Sequence, residues 1–491
     1  METDKLIQLF ESPDPANIKL AFHMMTLKSE ATPLPQPLQE AAALGLETIL
    51  PKPKTDDSLC EDIWNWITHF QLPVTHSDRI KDWLLYQPDK CLYHNIKEIF
   101  PLIRQYGIGN TLPDYPLERL WECTNLEFLN FQFIQLPPFP IPAKVFFPHL
   151  KDLRFYEFQA EPEFYTRILA GSPNLSKLSF IQTNLSRFPG EITQMYDLED
   201  FDLYGNKSYL TETIRIPDEI RNLQKMKRFS CRYFRLAEFP KAVVQMPFLE
   251  SLALPGTECA FQIPDEIENL TRLESVFLEG NYFEEFPEAL TRLPSLQTIQ
   301  IGEGIQRIPL SITNLSSLKA LLLYGVEFDE LPPYLADMPN LNTFWIITSR
   351  KPFSIEKLPS LTNLSITSCK LTVFPSTIVD TIQLEDLTIS YNEITEIPTQ
   401  FNQLVNLKHL HINNNNITRL PDELFELENL VYLSIGNNPL TEISPRFQQL
   451  KNLRVLNMTG MSLSDEGVAI VRSWIPYCQL SINDTHYPAL K

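Results

Sequence analysis

The feature that most constrains this chain is a repeat. Residues 384–406 read LEDLTISYNEITEIPTQFNQLVN, residues 407–429 read LKHLHINNNNITRLPDELFELEN, and residues 430–452 read LVYLSIGNNPLTEISPRFQQLKN. All three fit L-x-x-L-x-L-x-x-N-x-Φ-x-x-Φ-P-x-x-Φ-x-x-L-x-x, where Φ is apolar, with the third unit shifting its proline one place along. Tracing the first leucine backwards gives starts at 126, 150, 175, 198, 226, 249, 273, 296, 318, 341, 361, 384, 407, 430 and 453, with Met226 replacing leucine once. The fourteen spacings cover 327 residues, a mean of 23.4, and eight of them equal 23. A chain of 491 residues would ordinarily divide into about three compact domains. A period this short predicts one stack instead, because a single unit cannot bury its own apolar face.

Local chemistry explains each position. Leu407, Leu410 and Ile412 follow the alternation of a short strand and point to one side. Asn415 falls in the turn that follows, where an amide can satisfy backbone groups. Leu420 and Pro421 begin a return leg whose Leu424 and Leu427 point inward. Proline fixes φ there without removing a ladder donor, which accounts for 40 prolines against only 14 glycines.

This pattern resembles the leucine-rich repeat family over roughly residues 125–482. Its LP-x-x-Φ-x-x-L second half is similar to the intracellular group, as in Ras-suppressor, erbin and scribble proteins and bacterial cytoplasmic homologues. The resemblance implies an α/β fold, a solenoid with a curved parallel sheet on its concave face. It also implies protein recognition without catalysis. The segment LFESPDPANIKLAFHMM, residues 9–25, is similar to the helical lead of bacterial members.

The units are uneven. Asparagine holds the turn at Asn206, Asn281, Asn392, Asn415 and Asn438, whereas Thr257, Gly304, Val326, Ser349 and Cys369 stand there in other units. The unit at 198 has 28 residues and inserts LTETIR before Ile216 and Pro217, and the unit at 341 has only 20. Residues 1–124 do not repeat; helical spacing at 16–28, 60–70, 78–87 and 91–107 predicts an N-terminal helical region that covers the first unit, with Gly107 as a C-cap. The solenoid is expected over 125–462, and a C-terminal helical cap over 463–491, with Ser464 as N-cap and a final strand near Leu480 and Ile482.

Charge and composition exclude several functions. Sixty-one acidic against 41 basic residues give a net charge of −20, which opposes binding to nucleic acid or to an anionic membrane and favours a basic partner. The seven cysteines form no C-x-x-C pair and read as reduced thiols. No signal-peptide pattern or apolar run of membrane-spanning length is visible, so a cytoplasmic protein is expected. The string Gly205-Asn206-Lys207-Ser208 lacks the first glycine and the Gly-Lys pair of a phosphate loop, and no cofactor motif is present.

Two surface features stand out. His409 and His411 share a strand face, with Asp386 expected beside His409, a set that could serve a metal-dependent hydrolase but also fits an ordinary polar ladder. The second is aromatic. Positions +2, +4, +6 and +7 from the first leucine should face solvent, and among mostly small polar residues they carry Tyr204, Tyr233, Phe277, Leu322, Tyr324, Trp345 and Ile347. Leu322 with Trp345, and Tyr324 with Ile347, are consecutive in their columns and should touch across strands. Arg228 and Arg232 face the same way, one unit from Asp200 and Asp202. The expectation is therefore a non-enzymatic signalling scaffold that grips a protein or peptide through these residues. A metal-dependent or other hydrolase, at Asp386, His409 and His411 or in the N-terminal helices, and a cell-surface adhesion module remain the alternatives.

Overall fold

The computed structural model describes residues 2–12, 14, 17–18, 21, 41–42, 105–108, 121, 126–132, 144–205, 213–257, 262–482 and 485–489. The chain forms two compact units, Met1–Leu185 with Pro189–Asp200, and Ser186–Phe188 with Phe201–Lys491.

The first unit begins with α1 (Glu2–Phe10), whose Phe10 is buried. Four parallel strands follow: β1 (Gln105–Ile108), β2 (Phe128–Gln132), β3 (Asp152–Tyr156) and β4 (Lys177–Ile181). They pair in chain order, Gln105 with Phe128, Phe128 with Asp152, and Asp152 with Lys177. The helix expected over 91–107 is therefore corrected at its end: Gln105 to Gly107 lie in a strand, and Gly107 pairs with Asn130 instead of capping a helix. Ladder hydrogen bonds to β2 outweigh a local helical spacing there. Of the helix expected over 16–28, Asn17, Ile18 and Ala21 are helical; its other residues, and the segments 60–70 and 78–87, lie outside the described residues. Between β3 and β4 the 150 unit carries a true helix, α2 (Pro162–Ala170), opened by a proline at its first position, where no amide is needed.

The second unit continues the repeat. Its strands are β5 (Asp200–Tyr204, whose first residue belongs to the other unit), β6 (Thr213–Ile214), β7 (Arg228–Arg232), β8 (Arg235–Leu236), β9 (Ser251–Ala253), β10 (Ser275–Leu278), β11 (Thr298–Gly302), β12 (Ala320–Val326), β13 (Thr343–Ser349) and β14 (Asn363–Thr367). Then come β15 (Asp386–Thr388), β16 (His409–His411), β17 (Tyr432–Ser434), β18 (Val455–Met458), β19 (Gln479–Ile482) and β20 (Thr485–Tyr487). From β7 the ladder is parallel, each strand pairing with the next repeat's strand up to β19, and β20 closes it antiparallel. The insertion in the 198 unit forms a small separate sheet, Thr213 and Ile214 pairing with Arg235 and Leu236.

The alternation works as the spacing requires. In β12, Leu321 and Leu323 are fully buried while Leu322 and Tyr324 are only half-buried. The return legs are single 3-10 turns, and most begin on the repeat's proline. Pro421 has φ −69° and its carbonyl accepts from the Leu424 amide at 3.2 Å. In the unit whose proline is displaced, Ser444 caps the turn instead, its Oγ accepting from the Arg446 amide at 3.2 Å. Leu424 and Leu427 are buried, as expected.

The turn asparagines join successive units. Asn438 donates to Ile412 and Ile435 carbonyls at 3.0 and 2.9 Å, and its Oδ1 accepts from the Ile417 amide. Asn281 and Asn392 make equivalent sets, whereas Asn206 lies outside the described residues. Near the C-terminus, α3 (Asp465–Trp474) starts at Ser464, whose Oγ accepts from the Gly467 amide at 3.2 Å. Cys231, Cys369 and Cys478 are free and buried; burial pushes the Cys369 and Cys478 thiols up to about 12, which keeps them protonated and unreactive. The other four cysteines fall outside the described residues.

Candidate binding face

Each strand of the second unit turns its +2, +4 and +6 residues to the open side of the sheet. On β12 and β13 this places Leu322 opposite Trp345 and Tyr324 opposite Ile347, the two expected pairs, in one register. All four are half-buried. Two hydrogen bonds orient the ring systems. The Trp345 indole donates to Asn363 Oδ1 at 2.7 Å, and Gln300 Nε2 donates to the Tyr324 hydroxyl at 2.8 Å. Neither Gln300 nor Asn363 was expected at the site. Each lies on a neighbouring strand, two positions off register from the ring it holds, a diagonal within reach of long side chains. Burial is the main cause that raises the Tyr324 phenol above its ordinary value, followed by the charge of Glu279.

Phe277, also half-buried, stands on β10 opposite Gln300, and Ala253 follows on its other side. It is therefore separated from Leu322 by the intervening β11. Tyr204 and Tyr233 meet edge to face with ring centroids 5.1 Å apart. They are farther along the sheet, with β9, β10 and β11 between β7 and β12. Leu322, Tyr324, Trp345 and Ile347 thus form one patch, Tyr204 and Tyr233 another, and Phe277 stands between them on β10. Arg232 lies in a polar set with Asp202: its Nε donates to Ser230 Oγ at 2.7 Å and approaches Asp202 Oδ1 at 3.6 Å, while Ser230 Oγ donates to Asp202 at 2.7 Å. Arg228 is exposed on the same strand.

Asp386 lies opposite His409, as expected, and their side chains are hydrogen-bonded. His411 sits between Thr388 and Ser434 in register and stacks on Tyr432 with centroids 4.6 Å apart. Its pKa is lowered, first by burial and then by the neighbouring His409, with Asp386 acting in the opposite sense. Among the described residues no group of three or more His, Cys, Asp or Glu side chains is placed to hold a metal ion. No helix among them is long and apolar enough to cross a membrane.

Comparison with known proteins agrees with the repeat. The family described as leucine rich repeat matches residues 359–417 and 405–463. Among solved structures the chain is similar to a leucine-rich repeat protein of Leptospira interrogans, at 25% identity and a TM-score of 0.52, over 80% of this chain and 92% of that one. It is also similar in fold to a chain of the Toll–Spatzle complex of Drosophila, at 18% identity and a TM-score of 0.51, over 77% of this chain and 55% of that one. No curated protein matches the sequence.

Proposed function

Because the chain is a leucine-rich repeat protein, we propose that it is a non-enzymatic recognition protein that binds a protein or peptide segment on the open face of its sheet. Leucine-rich repeats are in general protein-interaction modules, and this fold supplies a wide extended surface. The observation that carries the reading is the register of Leu322 with Trp345 and of Tyr324 with Ile347. It sets two apolar pairs side by side on the open face of the sheet. Trp345 and Tyr324 are already held by Asn363 and Gln300, so a partner finds them ordered and less rotamer entropy is lost on binding. A net charge of −20 favours a basic segment and speeds its approach at low salt. In this reading the protein acts in the cytoplasm as a signalling scaffold, in keeping with the free, buried thiols of Cys231, Cys369 and Cys478.

The rival hydrolase centred on Asp386, His409 and His411 has less support. His409 is hydrogen-bonded to Asp386 and His411 is stacked on Tyr432, so this polar ladder is accounted for by its own neighbours.

Selection from a displayed library of random peptides on the purified chain tests the reading. Peptides that bind the wild type should lose about 30-fold in affinity on the double variant Leu322→Ser, Trp345→Ala, the scale set by removing interface hot spots. Half-buried positions on an open face tolerate such changes, so the variant should retain the wild-type circular dichroism spectrum. Equal affinity for the two proteins rules this face out.

A further inference from the structure

Glu279 directly follows β10 and stands in the same +6 column as Tyr324 and Ile347. Its Oε2 is buried and accepts no hydrogen bond. A carboxylate oxygen withdrawn from water is costly until a donor reaches it. Arg232 is a cation whose field reaches this carboxylate, but its Nε is engaged with Ser230 and Asp202. The Glu279 carboxyl is accordingly held above the usual carboxylate range, by burial first, against the opposing effects of its own backbone amide and Arg232.

Glycines and tyrosines flank it. On one side the Gly256 amide donates to the Glu279 carbonyl at 2.6 Å. Gly256 has φ +62°, and a Cβ there would come within 2.5 Å of Tyr233 Cδ1, so the Tyr233 ring fills the space over this glycine. On the other side Gly302, next along from the Ile301 that pairs with Leu278, stands opposite Tyr324. A Cβ on Gly302 would meet the Tyr324 backbone carbonyl. Glycine is scarce in this chain, yet five of its 14 glycines lie between 256 and 325. The carboxylate thus has a glycine on each flank and a tyrosine beyond each glycine. Its charge acts on both phenols, raising Tyr233 and Tyr324 after the larger effect of burial.

We propose that Glu279 receives a lysine ammonium of the bound segment, with Tyr233 and Tyr324 as the walls against which the lysine stem lies. The inference rests on the binding face proposed above and names its charged contact. One carboxylate oxygen lacking a donor suits a single ammonium better than the planar fork of a guanidinium. Tyrosine faces attract a cation, and the methylene stem of lysine packs on their rings.

Strands about 4.8 Å apart, with a two-residue offset along the strand, put Glu279 about 16 Å from Trp345, which an extended peptide crosses in about five residues. The probes are terminally blocked Lys-Gly-Gly-Gly-Trp and its norleucine and arginine analogues. The wild type should bind the lysine peptide about tenfold more tightly than the norleucine peptide. Glu279→Gln should erase that preference and leave norleucine-peptide binding unchanged. Equal binding of the two peptides by the wild type, or a preference that survives Glu279→Gln, overturns the proposal. An arginine peptide that binds as tightly as the lysine peptide overturns the ammonium assignment. Trp345→Ala should weaken both peptides alike and keep the preference. If Trp345→Ala changes neither while the preference persists, the apolar anchor fails and the lysine contact stands. Carbon-13 NMR of the wild-type protein gives a second readout, independent of any variant's folding. The titration midpoint of the Glu279 carboxyl should fall on saturation with the lysine peptide and not with the norleucine peptide. An unmoved midpoint overturns the proposal as well.

Discussion

Phe155→Ala is expected to destabilise the first unit by about 4 kcal/mol, the cost typical of emptying a buried aromatic site. Phe155 is fully buried, and it occupies the last apolar position of its strand, where most units have leucine or isoleucine. Phe131 and Phe180 hold the same position in the neighbouring repeats and pair with it in register. The three rings stack, with centroids 5.2 and 5.0 Å apart and interplanar angles of 6° and 11°. Tyr165 from α2 meets Phe155 edge-on at 5.3 Å, and its hydroxyl donates to the Phe158 carbonyl at 3.0 Å. Truncation removes the three ring contacts of Phe155 together, and the flanking rings are themselves fixed by further aromatic neighbours, so the hole closes poorly. Phe155→Leu keeps most of the volume and should cost about 1 kcal/mol. Urea denaturation followed by circular dichroism reads both values; an unchanged midpoint for Phe155→Ala would falsify the assignment of this ladder as the unit's core.

That ladder also shows where sequence reading stops. The 23-residue period, the alternation within each strand, the proline of the return leg and the Ser464 cap were all legible, because each depends on neighbours a few residues apart and recurs in many copies. The aromatic core was not, since it needs α2 folded back on β3 before Phe164 and Tyr165 meet the phenylalanines. Gln105–Ile108 failed for a related reason. Its pairing with Phe128–Phe131 preserves the 23-residue offset, but QYGI lacks the leucines that would have disclosed it. Pairing across strands decided the conformation there, and the local pattern did not.

On the binding face the same division holds. Columns were readable, so Leu322 with Trp345 and Tyr324 with Ile347 could be placed side by side from spacing alone. The supports of the rings were not, because Gln300 and Asn363 act diagonally, and register alone does not say which diagonal a side chain takes. Glu279 was invisible for a further reason. A single acid in a solvent-facing column reads as ordinary surface until its Oε2 is seen to be buried without a donor, with Gly256 and Gly302 on its flanks.

Replacing Asn415 by alanine should lower stability by about 2 kcal/mol, because it strands a buried backbone amide and takes one donor from each of two buried carbonyls. Asn415 is 5% exposed. Its Nδ2 donates to the Ile389 carbonyl of the preceding unit at 2.9 Å and to the Ile412 carbonyl of its own at 3.1 Å, and its Oδ1 accepts from the Ile394 amide at 3.2 Å. Alanine leaves the Ile394 amide without its partner, at a cost of about 1–3 kcal/mol when water cannot reach it, while the Ile389 and Ile412 carbonyls each lose one donor and keep another, from Asn392 at 3.3 Å and from Asn438 at 3.0 Å. Units without asparagine show how the column is otherwise filled. Ser349 gives one bond to the preceding unit, at 3.2 Å to the Val326 carbonyl, and the Cys369 thiol offers only weak contacts, such as 3.7 Å to the Ile346 carbonyl. Cys369→Ala should therefore cost well under half as much as Asn415→Ala. The adjacent Asn416 is exposed, with a single long bond of 3.5 Å to the Glu393 carbonyl, and its alanine variant should stay within about 0.5 kcal/mol of wild type. Urea midpoints for the three variants test the ranking. If Asn415→Ala and Asn416→Ala prove equal, the buried amide is not what joins one repeat to the next.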